Sequence, residues 1–306
     1  MMPVRSVAQR SIVAKPKPGE PRGFTQVEIL VTITIIVMLA SLFLPMLGRA
    51  REVARGAECK NQFHNLAIAA HDHHHQFGEF PTGVLAQTRP VRSDSGGDGL
   101  SLFVRLLPFL EQKPLYDLID LSLGVEAQRS EVRDVHVSIL RCPSDRLQSY
   151  DVAASNYAGC HDHRETPIDV DNDGMFFLGR GLTIVEMIDG TSHTLMFAEK
   201  SIPPDDRGWL SGSRATLRNT GEPFTRFEIS PEIAAGGNDD PLAVGSFSSA
   251  HPYGVHVALA DSSVQLLSFE VDHTVLQRLA DRADGELIPI SELTRRSFDP
   301  VDESKR

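Results

Sequence analysis

Hydrophobic positions follow three successive patterns along the chain. From residue 29 to 48 the sequence ILVTITIIVMLASLFLPMLG contains twenty residues without a charge. At about 1.5 Å per helical residue, that run matches the roughly 30 Å hydrocarbon core of a bilayer. A cleaved secretory signal has a shorter apolar region of about 7–15 residues before a small-residue cleavage site, so the run reads as a transmembrane helix. Past Gly48 apolar residues persist at helical spacing with charges between them: Val53, Ala57, Phe63, Leu66, Ala67 and Ala70 define one amphipathic face. The two patterns together predict one helix from residue 24 to about 76, kinked at Pro45 rather than stopped there, and ended by Gly78 and Pro81.

The third pattern is a series of short apolar runs separated by Gly, Asp and Ser. Residues 137–141, 175–178 and 194–199 are strand candidates, and Val255, Val257 and Leu259 alternate into a strand. Residues 261–263 form the turn after it, and Val264 begins the partner strand. The fold class expected is α+β, with a long N-terminal transmembrane helix packed against an antiparallel β-sheet head domain. The organisation is a basic leader over residues 1–23, the helix over 24–77 and a head over 78–306. Residues 89–99 and 211–240 read as long irregular loops, the tail over 297–306 reads as frayed, and no internal repeat is visible.

Charge fixes the orientation and removes one class of partner. The first 23 residues carry five of the 30 basic side chains (Arg5, Arg10, Lys15, Lys17, Arg22) and one of the 41 acids, so the remainder is more acidic than the whole chain's net −11. An acidic head argues against nucleic acid, whose phosphates need a basic face. The basic flank places the N-terminus in the cytoplasm and residues 49–306 outside, although Arg49, Arg51 and Arg55 reduce the asymmetry.

Glu28 sits at the mouth of the apolar run, where an unpaired carboxylate is costly. Arg22 lies six residues away and does not share a helix face with it at the three or four spacing. Cleavage after Gly23 would create a positive amino group on Phe24, and that group on a neighbouring helix would neutralise Glu28. The stretch Gly23-Phe24-Thr25-x-x-Glu28 before a long apolar run, with Pro45 further along, resembles the leader of type IV prepilins and type II secretion pseudopilins. The resemblance implies processing at Gly23 and Phe24, N-methylation of Phe24 and assembly through Glu28. It also implies partners: a prepilin peptidase/methyltransferase, an assembly ATPase, other pilin-like subunits and the lipid bilayer. Several later segments, in order, are similar to a prepilin-like family that carries domain of unknown function 1559, whose C-terminal motif is His-x9-Asp-Gly. They include RAREVARGAECKNQFHNLAIAAHDHHHQFGEFP, LRCPSD, SNYAGC, MIDGTSHTLMFAE and SSAHPYGVHVALADSSVQLL, and the likeness covers most of residues 22–290. Here His251 and Asp261 keep the spacing, while Ser262 stands where that family has glycine. A tight hairpin favours Gly because it accepts positive φ, so the motif reads as hairpin construction.

Four constellations invite chemistry. His64, His71, His74 and His75 lie near one helix face, as a transition-metal site would need, or simply form a solvated helix end. Asp169, Asp171 and Asp173 before Gly174 repeat the start of a calcium loop, but Arg180 occupies the twelfth position where a bidentate glutamate belongs. A looser calcium loop stays open beside a plain polar turn. Ser192 and His193 lack a G-x-S-x-G context and read as turn residues. Cys59, Cys142 and Cys160 are an odd set without a CxxC pair, which argues against a structural zinc site. Cys59 and Cys142 fall where the family resemblance places cysteines and are the candidate disulfide. The expected protein is therefore not an enzyme and needs no cofactor, apart from the candidate calcium. It is a single-pass inner-membrane (cytoplasmic-membrane) subunit of a type IV pilus-like or type II secretion pseudopilus-like assembly. The alternative is a membrane-anchored extracytoplasmic domain that binds a ligand or calcium.

Overall fold

The computed structural model describes residues 23, 25–145, 152–203, 205–227 and 240–288, with backbone alone at 42–45. The chain divides into two units, Met1–Arg49 and Ala50–Arg306, and the first helix contributes to both.

Helix α1 spans Gln26–Phe77. In its first half Val27, Leu30, Ile36 and Met38 are all more than half exposed, and the helix is long and apolar enough to cross a membrane. Its few polar side chains are satisfied within the helix: Thr32 and Thr34 hydroxyls donate to the Glu28 and Leu30 carbonyls at 2.6 and 2.8 Å, and Ser41 donates to Met38 O at 2.8 Å. A segment bounded by lipid needs such internal pairing. The helix ends as expected at Gly78, whose φ of +80° suits glycine and whose N–H donates to His74 O at 2.8 Å.

The second half of α1 buries Cys59, Phe63, Leu66, Ala67 and Ala70. Val53 and Ala57 were expected on the same face and are exposed; the buried stripe follows Cys59 at helical spacing and leaves these two to one side. A small pair, β1 (Val84–Leu85) with β2 (Leu100–Ser101), and the short helices α2 (Leu102–Leu106), α3 (Lys113–Tyr116) and α4 (Ser130–Arg133) follow. The main sheet is built from β3 (Tyr157–Asp162), β4 (Leu195–Glu199), β5 (Leu217–Asn219), β8 (Val255–Leu259) and β9 (Val264–Leu267), in the order β5-β3-β4-β8-β9. Between them lie a minor pair, β6 (Thr225–Arg226) and β7 (Ser248–Ser249). Helix α5 (His273–Ala280) starts at Asp272, whose side chain accepts from Thr274 N at 3.0 Å.

The architecture is α+β. The sheet is mixed rather than purely antiparallel, because β3 and β5 pair in parallel while β3–β4, β4–β8 and β8–β9 are antiparallel. Alternation along the strands separates two apolar layers: Tyr157, Phe197 and Ala258 face the core that includes Phe63 and Leu66 of α1. Ala158, Ala198 and Val257 face the core that includes Leu276 and Leu279 of α5. The hairpin 255–267 lies where the alternation predicts it, as does the strand in 194–199. Two expected strands are absent: Ser138–Leu140 is a 3-10 turn, and of residues 175–178 only Leu178 bridges, to Val84. Residues 175–178 are buried throughout and 137–141 only in part, and periodicity alone does not assign such short runs.

Candidate functional site

A buried polar cluster lies where the second half of α1 meets the sheet. Glu52 and Cys59, seven residues apart, share one face of α1. Cys142 follows the 3-10 turn Ser138–Leu140 and is fixed by its backbone N–H donating to Asn156 Oδ1 at 3.0 Å. Glu199 ends β4, beside His256 on β8, and His251 precedes β8.

These parts converge on one point. The sulfurs of Cys59 and Cys142 lie 3.0 Å apart. His251 Nε2 is 3.2 Å from Cys59 Sγ, 3.4 Å from Cys142 Sγ and 3.1 Å from Glu199 Oε1. Cys59, Cys142, Glu199 and His251 are each at most 3% exposed. A surrounding set of hydrogen bonds orients them. His251 Nδ1 meets Glu52 Oε1 at 2.7 Å, and that same oxygen accepts from Ser144 Oγ at 2.8 Å. Glu199 Oε2 accepts from Ser249 Oγ at 2.6 Å and His256 N at 2.9 Å, and His256 Nδ1 reaches Oε1 at 3.0 Å. Two clefts flank the cluster. One of about 570 Å³, lined by Glu58, Gln62, His136 and Arg141, reaches Cys142; one of about 220 Å³, lined by Gly56, Lys60 and Tyr253, reaches His251 and His256.

The electrostatics follow from burial opposed by partners. Burial favours the neutral form of Glu199, but the charges and hydrogen bonds of His256 and His251 hold its carboxyl well below the usual range. Burial likewise opposes ionisation of Glu52, and hydrogen bonds from His251 and Ser144 bring it down to about 2. His251 is raised to about 12, against its own burial, chiefly by the charge of Glu199 and by its hydrogen bonds to Cys142, Glu199 and Glu52. The hydrogen bond with Cys59 and burial push the Cys142 thiol up.

Glu52, Glu199 and His256 lie within segments that carry the family resemblance, but no local motif marks them as partners in a site. The signal that existed was His251, the histidine of the His-x9-Asp spacing, read there as part of a hairpin. The turn end of that motif does build the hairpin, and its histidine reaches the two cysteines.

The other expected sites are placed as follows. Gly23 is described and Phe24 lies outside the described residues. Glu28 has a local partner that the sequence reading missed: Thr25 N and Thr25 Oγ1 donate to its Oε2 at 2.8 and 2.9 Å, while Glu28 N donates to Thr25 Oγ1 at 3.3 Å. This is the reciprocal capping arrangement of a helix N-terminus. Asp169, Asp171 and Asp173 do not meet as one set of ligands among the described residues. Asp169 Oδ1 accepts from Val170 N at 2.8 Å, Asp171 is exposed, and Asp173 pairs with Arg164 at 3.0 Å and groups with Asp162 and His163. The α1 histidines also spread out: His64 and His71 reach the carbonyls of Ser262 and Ala260 at 3.1 and 2.7 Å, docking the β8–β9 hairpin tip. Ser192 and His193 lie on a 3-10 turn, Thr191–His193, as their reading as turn residues expects, and touch each other at 3.1 Å. His193 Nε2 is taken by Ile288 O at 3.0 Å.

A membrane-length apolar helix continuing into an α+β head with a mixed sheet defines the class of protein. Within that class, a family model described as "Protein of unknown function (DUF1559)" matches residues 48–274, and the chain belongs to that family. No curated protein and no solved structure gives a significant match.

Proposed function

We propose that the protein is a structural subunit of a type IV pilus-like or type II secretion pseudopilus-like assembly, rather than an enzyme. It is cleaved after Gly23, N-methylated at Phe24 and anchored in the inner membrane by α1, with the head outside. The observation that carries this reading is Gly23 followed by Thr25 and Glu28 at the start of an exposed apolar helix. Glu28 caps its own helix start through Thr25, which keeps the carboxylate at the site where a neighbouring Phe24 amine would meet it. Its partners in this reading are a prepilin peptidase/methyltransferase and other pilin-like subunits.

The cleft of about 570 Å³ beside Cys142 favours a second reading, an anchored extracytoplasmic domain that binds a ligand. Intact mass and N-terminal sequencing of the chain from membranes with and without prepilin peptidase test the first. The expected result is a peptidase-dependent chain that begins at methylated Phe24; retention of residues 1–23 in both membranes overturns it and leaves the second.

A further inference from the structure

We propose that Cys59, Cys142, His251 and Glu199 form a binding site for a single divalent transition-metal ion of the zinc class. The site goes beyond the assembly reading and does not depend on it.

Four donor atoms of the types such ions prefer, two sulfurs, an imidazole nitrogen and a carboxylate oxygen, lie within 4.8 Å of one another. Their fit to a tetrahedral ion is close. With metal–sulfur bonds of about 2.3 Å and metal–nitrogen bonds of about 2.0 Å, the sulfurs stand about 3.8 Å apart and each about 3.5 Å from the nitrogen. The observed 3.0 Å between sulfurs, with 3.2 and 3.4 Å to nitrogen, means that the ion expands the group by less than about 1 Å.

Proton counting favours a cation over a purely hydrogen-bonded cluster. His251 Nε2 carries at most one proton and has three neighbours within 3.4 Å: Cys59 Sγ, Cys142 Sγ and Glu199 Oε1. One N–H points at one of them, whereas an ion at the centre serves all three and the nitrogen's lone pair as well. The orienting bonds match those of metal sites. Glu52 on Nδ1 fixes the tautomer that presents Nε2 inward, and Ser249 and His256 N hold Oε2 so that Oε1 faces the sulfurs. A disulfide between Cys59 and Cys142 would occupy only two of the four donors and leave Nε2 against a poor acceptor. Loading releases two thiol protons and the Nε2 proton of the imidazolium, giving two thiolates and a neutral imidazole on the ion. The clefts that reach Cys142 and His251 give the ion an entrance.

The test uses the full chain in detergent micelles. Thiols are trapped by alkylation in intact cells, zinc is measured after purification, and cobalt(II) is used to reload chelator-treated protein. The expected results are about one zinc per chain, thiols at Cys59 and Cys142 that alkylate only after chelation, and a thiolate-to-cobalt charge-transfer band. Cys142→Ser and His251→Ala each lower retained zinc at least tenfold, while Cys160→Ser retains it. Glu52→Gln lowers zinc affinity about 10- to 100-fold and keeps the charge-transfer band, as loss of an orienting partner does. Should the ligand variants misfold, the wild-type cobalt spectrum and thiol trapping still decide. A Cys59–Cys142 disulfide trapped in cells, or free thiols with neither zinc nor a charge-transfer band, overturns the proposal.

Discussion

Ser262 shows how one residue departs from the local rule of its turn. Its φ is +68°, in the left-handed region that costs a residue with a Cβ about 1–2 kcal/mol. The turn is otherwise well made: Ser263 N donates to Asp261 Oδ1 at 2.8 Å and Ser262 N to Leu259 O at 2.9 Å. Ser262→Gly relieves the strain but loosens the unfolded chain, so it is expected to raise stability by a net of about 0.5–1 kcal/mol in urea unfolding. A variant no more stable than wild type would mean that the serine already fits its turn. His161 is a second residue-scale case. Burial lowers it to about 4, against the charge of Asp162, and its Nε2 faces Asn219 Nδ2 at 3.5 Å as a neutral acceptor. The unfolded chain takes up this proton near 6.5 and the folded chain only near 4, so stability is present above 6.5 and falls as the pH drops between the two. Between pH 7 and 5 the wild type is expected to lose about 2 kcal/mol more than His161→Gln, read from denaturant midpoints at both pH values. Equal losses would show that the histidine does not carry the acid sensitivity.

At the scale of elements, the second half of α1 is anchored by Phe63, fully buried with its ring 4.6 Å from that of Tyr157 in an edge contact. Tyr157 in turn donates its hydroxyl to Gln62 on the same helix. Phe63→Ala removes the ring and opens a cavity, and is expected to cost about 3–5 kcal/mol. Val53→Ala, at a position 47% exposed, is expected to change stability by under about 0.5 kcal/mol. Comparable costs for the two would place the buried stripe on the wrong side of the helix. The contrast also explains what the sequence revealed. The helix, its end at Gly78 and the β8–β9 hairpin were legible because periodicity and turn chemistry are local. The register of the stripe was not, since Val53 and Ala57 are apolar like Phe63 yet lie to one side of the face that is covered. β3 was hidden because both its faces are buried, so YAGCHD shows no alternation. The cluster around His251 was least legible: residues 52, 59, 142, 199 and 251 come together only through α1 and the sheet.

For the whole molecule, the assembly reading ties function to Glu28, and the structure gives that carboxylate a local task which separates two roles. As the third residue of a capping arrangement it needs only an acceptor oxygen for Thr25 N–H, which glutamine supplies equally well. As the counter-ion of a neighbouring Phe24 amine in a lipid setting it needs its charge, since an unpaired cation there is costly. Glu28→Gln therefore keeps the helix start while removing the charge. In the assembly reading this variant is expected to reach the membrane and to be cleaved after Gly23 like wild type, yet to lose at least tenfold of its subunit-to-subunit crosslinking in membranes. Glu28→Ala, which removes both the acceptor and the charge, is expected to show the same assembly defect and a weaker helix start. Were Glu28→Gln to crosslink as well as wild type while Glu28→Ala did not, the carboxylate would be a helix cap alone, and the membrane helix would serve as an anchor for the head and its buried cluster.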